Sequence, residues 1–500
     1  MLLLRSVEEA WASVPAASAY ASKVDIVLNP SASHFALGKY RYRWQLVANS
    51  SRAMNAYYLY SNSVGLESGR LIYDGGVLLA CRGDIIGAGK RFSFSEADIF
   101  LSDIDIDLIR TNKLAKSAYS SFSEHEKKMD ECFSVQAREF LETSIGDISQ
   151  DSVEKLCKDE AWDKNSEFLL AEALGLFDYL RKTSAKGFVV SLSGGCDSAT
   201  VAVLVAHMFA IALKELKSEK LAEKLRCKNW GEDPREWVKA YLTCVYQKTK
   251  NSSIVTETAA QSLAKELCAE YHSINIQTIV DDYTQMIEKS MNLKVDWGTH
   301  DLVLQNIQAR ARAPLAWMIA NIKEAILLAT SNRSEAAVGY ATMDGDTAGG
   351  YSPISGIDKF FLRKWLNWSE HDCNLGLGPL PVLKLINVQE PTAELRPQEL
   401  QQTDENDLMP YAVLASIERR IVGEKESTLE VIQALSLEFP NYTEAEHRLF
   451  LNRFMTKWRR NQWKRERIAP SFHIDSFSLD PKSWCRFPIL TGDWEQETVQ

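Results

Sequence analysis

The chain has 500 residues, 45% hydrophobic and 25% charged, which is the composition of an ordinary globular protein. At about 150 residues per domain this length allows two to four domains with ample core. Against 67 Asp and Glu stand 57 Lys and Arg, a formal charge of −10, which argues against a nucleic-acid partner because such surfaces are basic. Nine cysteines occur without a C-x-x-C pair, so neither a zinc ribbon nor a disulfide framework is indicated, and a reducing, cytoplasmic location is expected. Leu2-Leu3-Leu4 is followed at once by Arg5, Glu8 and Glu9, unlike a signal peptide. The longest apolar stretch, Ala199–Leu213, contains His207 and falls short of the roughly 18 residues of a membrane span. No membrane partner is expected.

In chain order, residues 1–112 read mostly as strands with Gly-rich turns. Val24–Leu28, Ala56–Tyr60 and Ile72–Leu79 are apolar runs, the last interrupted by Asp74-Gly75-Gly76, and Cys81-Arg82-Gly83-Asp84 has the composition of a hairpin turn. Residues 113–165 turn to Ser, Lys, Glu and Asp and are expected to form a helical linker. From Ser166 to Leu385, strand signals alternate with helical periods, which predicts a mostly parallel, doubly wound (Rossmann-like) α/β sheet. The last hundred residues read as helices, followed by an aromatic tail from Pro470 to Pro488 that wraps another element. Within them, Lys457–Arg467 is strongly basic, by default a solvated helix face. His207, inside an apolar helix, reads as a core residue, and Trp458 and Trp463 as packing groups.

The most informative segment is Gly187-Phe188-Val189-Val190-Ser191-Leu192-Ser193-Gly194-Gly195-Cys196-Asp197-Ser198. A buried strand ends in Ser-Gly-Gly-x-Asp-Ser and a helix begins immediately. Backbone N–H groups at such a helix N-terminus, with the positive end of its dipole, form an anion site. The glycines let the backbone approach phosphate oxygens, and Ser193 and Ser198 can donate hydroxyls. Asp197 would repel phosphate unless a cation bridges them, which implies Mg²⁺. The Gly-Lys-Ser/Thr of a Walker A loop is absent, so γ-phosphate transfer is not inferred.

This loop resembles the pyrophosphate loop of enzymes that cleave ATP between its α and β phosphates. Downstream stand Asn306-Ile307-Gln308-Ala309-Arg310-Ala311-Arg312, Ser331-Asn332-Arg333-Ser334-Glu335, Gly339–Asp346, Lys359, Glu390–Leu395 and Gln401–Glu405. In this order they resemble the ligase domain of glutamine-dependent NAD synthetases, over about Ser166 to Arg486, within a domain expected to span 166–500 with a helical C-terminal extension. The resemblance implies amidation of nicotinate adenine dinucleotide (deamido-NAD) through an adenylate, with ATP as co-substrate, Mg²⁺, and AMP and pyrophosphate as products. It implies that Ser191, Ser193, Gly194, Gly195, Asp197, Ser198, Thr330, Lys359 and Thr392 bind ATP. Asp197 and Lys359 would be catalytic, Asp197 and Glu335 would hold the metal, and Arg310 and Lys464 would contact deamido-NAD. Met343 and Gly350 depart from the single-domain enzymes, which carry a lysine and an aspartate there. A homo-oligomer is also expected. GMP synthetase and asparagine synthetase share the loop, but neither explains the Glu390–Leu395 block. A non-catalytic scaffold would not require both Asp197 and Glu335.

Val24–Gly38, Tyr60-Ser61-Asn62 and Arg91-Phe92-Ser93-Phe94 are similar to the later part of a nitrilase-like α/β sandwich, the glutaminase of that family. Ser33 and Lys39 match glutamine-binding positions, with Lys39 in place of the usual arginine. The nucleophile segment stands as Ser6-Val7-Glu8-Glu9-Ala10-Trp11, with Val7 where the family carries cysteine. This domain is therefore expected to be truncated at 1–112 and to lack the Cys, Glu and Lys of glutamine hydrolysis. Two explanations stay open: a fragment of a longer enzyme, or a chain that uses free ammonia.

Overall fold

A computed structural model describes residues 2–4, 8–12, 16–67, 69–115, 163–390, 394–397 and 404–486. Val7, Thr392 and most of the expected linker lie outside them. The chain divides into two compact units, Met1–Leu174 and Gly175–Gln500.

In the first unit, strands β1 (Leu2–Leu4), β2 (Ile26–Ser31), β3 (Tyr57–Asn62), β6 (Val77–Cys81) and β7 (Asp84–Ala88) form one sheet in the order β1-β2-β3-β6-β7. The first three are parallel and the last two antiparallel. Strands β4 (Val64–Glu67) and β5 (Leu71–Asp74) pair separately. Cys81 pairs with Asp84 across Arg82 and Gly83, both at positive φ (55° and 104°), which is the geometry a two-residue hairpin demands. Helix α1 (Lys39–Met54) buries Tyr40, Val47 and Met54 with Val27, Tyr58 and Leu78 of the sheet. Helix α2 (Ile106–Ala115) begins before the expected linker and buries Ile109. Helix α3 (Lys164–Thr183) closes the unit with its first turns.

The second unit is built on four parallel strands, β8 (Phe188–Ser191), β9 (Leu242–Lys248), β10 (Glu270–Asn275) and β11 (Ile326–Leu328), in the order β10-β9-β8-β11. The expected parallel sheet is present, with neighbours β9 and β11 reached in opposite directions from β8. Such a reversal opens a crevice beyond the carboxyl end of the first strand. Helices α4 (Cys196–Leu225), α5 (Pro234–Tyr241), α6 (Ile254–Glu266), α7 (Gln277–Met291) and α8 (Asp301–Lys323) connect the strands. On one face Val189, Val245 and Leu327 pack against Ala316 and Ala320 of α8. Small alanines let that helix approach the sheet closely.

After β11 come α9 (Arg333–Val338) and α10 (Lys359–His371). Side chains start both: Asn332 accepts the Glu335 amide (2.9 Å) and Asp358 that of Phe361 (2.8 Å). Helices α11 (Tyr411–Glu418), α12 (Thr428–Glu438), α13 (Glu444–Arg460) and α14 (Gln462–Arg465) surround α9 in a second core that includes Leu414, Val431, Phe454 and Trp458. Trp458 packs as expected, whereas Trp463 is exposed. The aromatic tail does wrap back: Ser352 donates to Pro470 O (2.8 Å), and Phe477 and Leu479 enter the second core.

Helix α4 runs 30 residues and is broken at Lys217 (φ 63°), well beyond the apolar stretch read from the sequence. By length and composition it could cross a bilayer, but 83% of its most apolar window is buried in the folded chain. It is the core helix of the sheet. His207 sits fully buried in it, with Nδ1 accepting from the Leu377 amide (3.1 Å) and Nε2 without a partner among the described residues. Burial lowers its pKa to about 4. The folded state therefore refuses a proton that the unfolded chain takes up below about 6.5. Stability from this group is complete above 6.5 and lost as pH falls to about 4, up to roughly 3 kcal/mol. Denaturant unfolding of wild type and His207→Leu at pH 7, 6, 5 and 4 should show a difference in stability that changes by about that amount. A difference that stays constant with pH would refute it.

Candidate active site

The loop between β8 and α4 sits at the crevice where the strand order reverses. Gly194 has φ +83°, and a Cβ there would lie 2.1 Å from Thr256 O, so only glycine fits both the turn and the approach of α6. The two serines expected to donate hydroxyls first organise the loop. Ser198 Oγ accepts the Ser193 amide (3.1 Å), and Ser193 Oγ accepts that of Gly195 (3.3 Å). The N-cap of α4, Gly195, provides no side-chain acceptor. The first-turn amides of α4 thus face the crevice with the positive end of its dipole.

Around this loop lies a cavity of about 590 Å³. Of the residues singled out from sequence, Ser191, Ser193, Gly195, Asp197, Ser198, Thr330, Glu335 and Lys359 line it. Three of them meet directly. Lys359 Nζ pairs with Asp197 Oδ2 and lies 3.4 Å from Glu335 Oε1. Asn332 Nδ2 donates to Asp197 Oδ1 (3.2 Å) while its own Oδ1 caps α9. Burial works against the Lys359 charge, but Asp197 and Glu335 outweigh it and hold the ammonium well above its ordinary range. Burial, then the adjacent Asp197 carboxylate, push Glu335 well above the usual carboxylate range. Asp197 and Glu335 thus share the one ammonium of Lys359.

Asp404 and Asp346 also line the cavity, both raised chiefly by burial. Tyr411 donates to one Asp404 oxygen (3.0 Å), and the other has no partner among the described residues. Asp346 accepts from the Thr342 amide (3.2 and 3.1 Å). Cys196 is pushed up to about 12 by burial and Asp197, so its thiol stays protonated near neutrality and is no nucleophile. Among the described residues, no cluster of three or more His, Cys, Asp or Glu is arranged to hold a metal alone.

Arg310 is exposed, its Nε donating to Met343 O (3.0 Å). Arg312 lines the cavity. Two residues on a helix are about 200° apart, so one arginine of R-x-R faces the cavity and the other faces away. Lys464 donates to Gly339 O (2.8 Å) and Ala341 O (3.0 Å) beside a small second pocket that it lines with Met343. The basic segment is only partly a solvated face, since Arg465 is 2% exposed.

In the first unit, Ser33 is fixed by Asn62, whose amide exchanges two 2.9 Å bonds with its backbone. Arg43 donates to Ser33 O (2.7 Å) and pairs with fully buried Asp74 (2.5 Å), which also pairs with Arg91 (2.9 Å). Arg91 continues to Glu167 (2.8 Å). Lys39 Nζ donates to His34 O (3.0 Å), and burial together with Arg43 lowers its pKa to about 8.

Residues 170–465 match the family model for NAD synthase. The chain is 36% identical to a glutamine-dependent NAD(+) synthetase from Cytophaga hutchinsonii of known crystal structure, with a TM-score of 0.77 over 99% of this chain and 72% of that one. It is 28% identical to the glutamine-dependent NAD(+) synthetase of Oryza sativa subsp. indica and 29% identical to that of Arabidopsis thaliana, over 91% of its length in each case. It spans 64% and 65% of the length of those two relatives.

Gly194→Ala tests the loop. The new Cβ meets a backbone carbonyl, and the left-handed conformation alone costs about 1–2 kcal/mol. The variant should unfold at lower denaturant by at least that amount and lose most nucleotide binding. Wild-type stability and affinity together would show that the loop does not hold this conformation.

Proposed function

We propose, given that this chain belongs to the glutamine-dependent NAD synthetase family, that it converts deamido-NAD to NAD through an acyl adenylate at the cavity beside β8. The observation that carries this reading is the convergence of Asp197, Glu335 and Lys359 next to a loop built for phosphate.

The donor set fits Mg²⁺. Two carboxylates beside a phosphate loop match the habit of this cation of binding through one or two carboxylates plus substrate phosphates. Asp197 and Glu335 would hold it, and when bound it would neutralise charge on the ATP phosphates. The chain's own residues supply the rest. The first-turn amides of α4 and the hydroxyls of Ser193 and Ser198 hold the phosphates, with Thr330 and Thr392 assigned to the same nucleotide. Lys359 places a permanent cation where charge grows as the nicotinate carboxylate attacks the α-phosphorus and pyrophosphate leaves. Arg312 offers a second cation in the cavity, and Arg310 and Lys464 are assigned to the dinucleotide. Ammonia then attacks the acyl carbon and AMP departs. The carboxyls of Asp346 and Asp404 line the same cavity, where an ammonium ion would find acceptors.

Val7, at the position of the family's cysteine, offers no thiolate for attack on glutamine, although Ser33 and Lys39 keep the setting of a substrate carboxylate site. We assign ammonia as the nitrogen source of this polypeptide. With ATP, Mg²⁺, deamido-NAD and ammonium chloride it should yield NAD, AMP and pyrophosphate; with glutamine in place of ammonium it should yield neither NAD nor glutamate. ADP plus phosphate would refute adenylation. Stoichiometric glutamate would refute the alignment of Val7.

A homo-oligomer forms part of the same reading. Helix α7 exposes Ile279, Tyr283, Met286, Ile287 and Met291 at helical spacing, and α8 exposes Met318 and Ile322; such a stripe is costly in water. Sedimentation of the wild-type chain should show a dimer or higher, and Met286→Glu with Ile287→Glu should shift it to monomer. A monomeric wild type would end this assignment.

A further inference from the structure

Helix α9 carries Glu335 yet has only six residues. A helix of this length has little stability of its own, so its position must come from what grips its ends. At its C-terminal end the grip is Arg465. Its guanidinium donates to Ala337 O (2.7 Å), Trp458 O (2.5 Å) and Gln462 Oε1 (2.9 Å), and lies 3.8 Å from the centre of the Trp458 ring. Among the described residues no carboxylate comes within ion-pair distance of it. Its charge is met instead by backbone carbonyls at the negative end of the helix.

At the N-terminal end Arg333, equally buried, pairs with Glu418 and with Asp475 (2.8 Å) and reaches Gly356 O (3.1 Å). Ser334, one residue before Glu335, donates to Glu418 (3.2 Å) and accepts the amide of Lys359 (3.2 Å). The start of α9 and the start of α10 are thus tied to each other and to the C-terminal tail. A buried guanidinium without a carboxylate is expensive, and an apolar side chain would pack there at lower cost. What the arginine provides that an apolar group cannot is a fixed axial and rotational setting of α9.

We infer that Arg465 and Arg333 are positioning residues that clamp α9 from both ends and thereby aim the Glu335 carboxylate at the cation site. The inference rests on the Mg²⁺-ATP reading of the cavity. It predicts a loss of cation affinity when either end of the clamp is loosened, although neither arginine touches ligand. Substitutions that disturb the orientation of a metal ligand commonly cost 10–100-fold in affinity.

The test is calorimetric titration of the full chain with ATP at increasing Mg²⁺, read as the Mg²⁺ concentration that half-saturates ATP binding. Arg465→Lys keeps the charge and loses the planar fork. It should raise that midpoint roughly tenfold with the number of sites per chain unchanged. Asp475→Asn removes one partner of Arg333 at a part-exposed position and should move the midpoint the same way, by a smaller factor. Fewer sites at an unchanged midpoint would mean that these residues only keep the unit folded, and would overturn the inference. If Arg465→Lys shows no cooperative melting, Asp475→Asn decides alone, and an unshifted midpoint overturns it. A wild type that binds ATP with no dependence on Mg²⁺ would refute the reading of the cavity itself, before any variant is made.

Discussion

The buried contact of Lys359 with Asp197 and Glu335 is the constraint on which the second unit depends. The three residues come from the starts of three different helices, α10, α4 and α9. A charge in such a place is tolerated only when its partners are held in register, because removing either partner strands the other in a medium that solvates it poorly. Much of the surrounding structure serves that register. Asn332 joins the cap of α9 to Asp197, and Asp358 caps α10 while contacting Arg333.

That requirement explains why the helices after α10 belong to the site although few of their residues line the cavity. The core around Leu414, Phe454 and Trp458 encloses α9 and presents Glu418, Asn461 and Arg465 to its ends. Glu418 is pushed up to about 7 by burial, against the pull of Arg333.

The first unit repeats the theme with different parts. Asp74 is buried between Arg43 and Arg91, and the chain of contacts from Ser33 to Glu167 fixes the start of helix α1, where Lys39 stands. These buried ion pairs hold the Ser33 backbone in place, whether or not a nucleophile stands beside it.

Sequence alone determined the strand–loop–helix form around Ser193–Ser198 and the class of the sheet. Ser-Gly-Gly-x-Asp-Ser between a buried strand and an apolar helix is a local arrangement, and local arrangements survive folding because strand, turn and helix N-terminus are set by neighbouring residues. The hairpin at Arg82-Gly83 was legible for the same reason. Tertiary structure alone decided which arginine of Arg310-Ala311-Arg312 faces the cavity, since that depends on how α8 is rotated against β8 and β11. It also decided that Arg465 is buried in a segment whose composition reads as a solvated face, and that Asp404 joins a site more than two hundred residues from Asp197 in the chain. Those outcomes depend on contacts between residues far apart in the chain, and no spacing or local pattern encodes them.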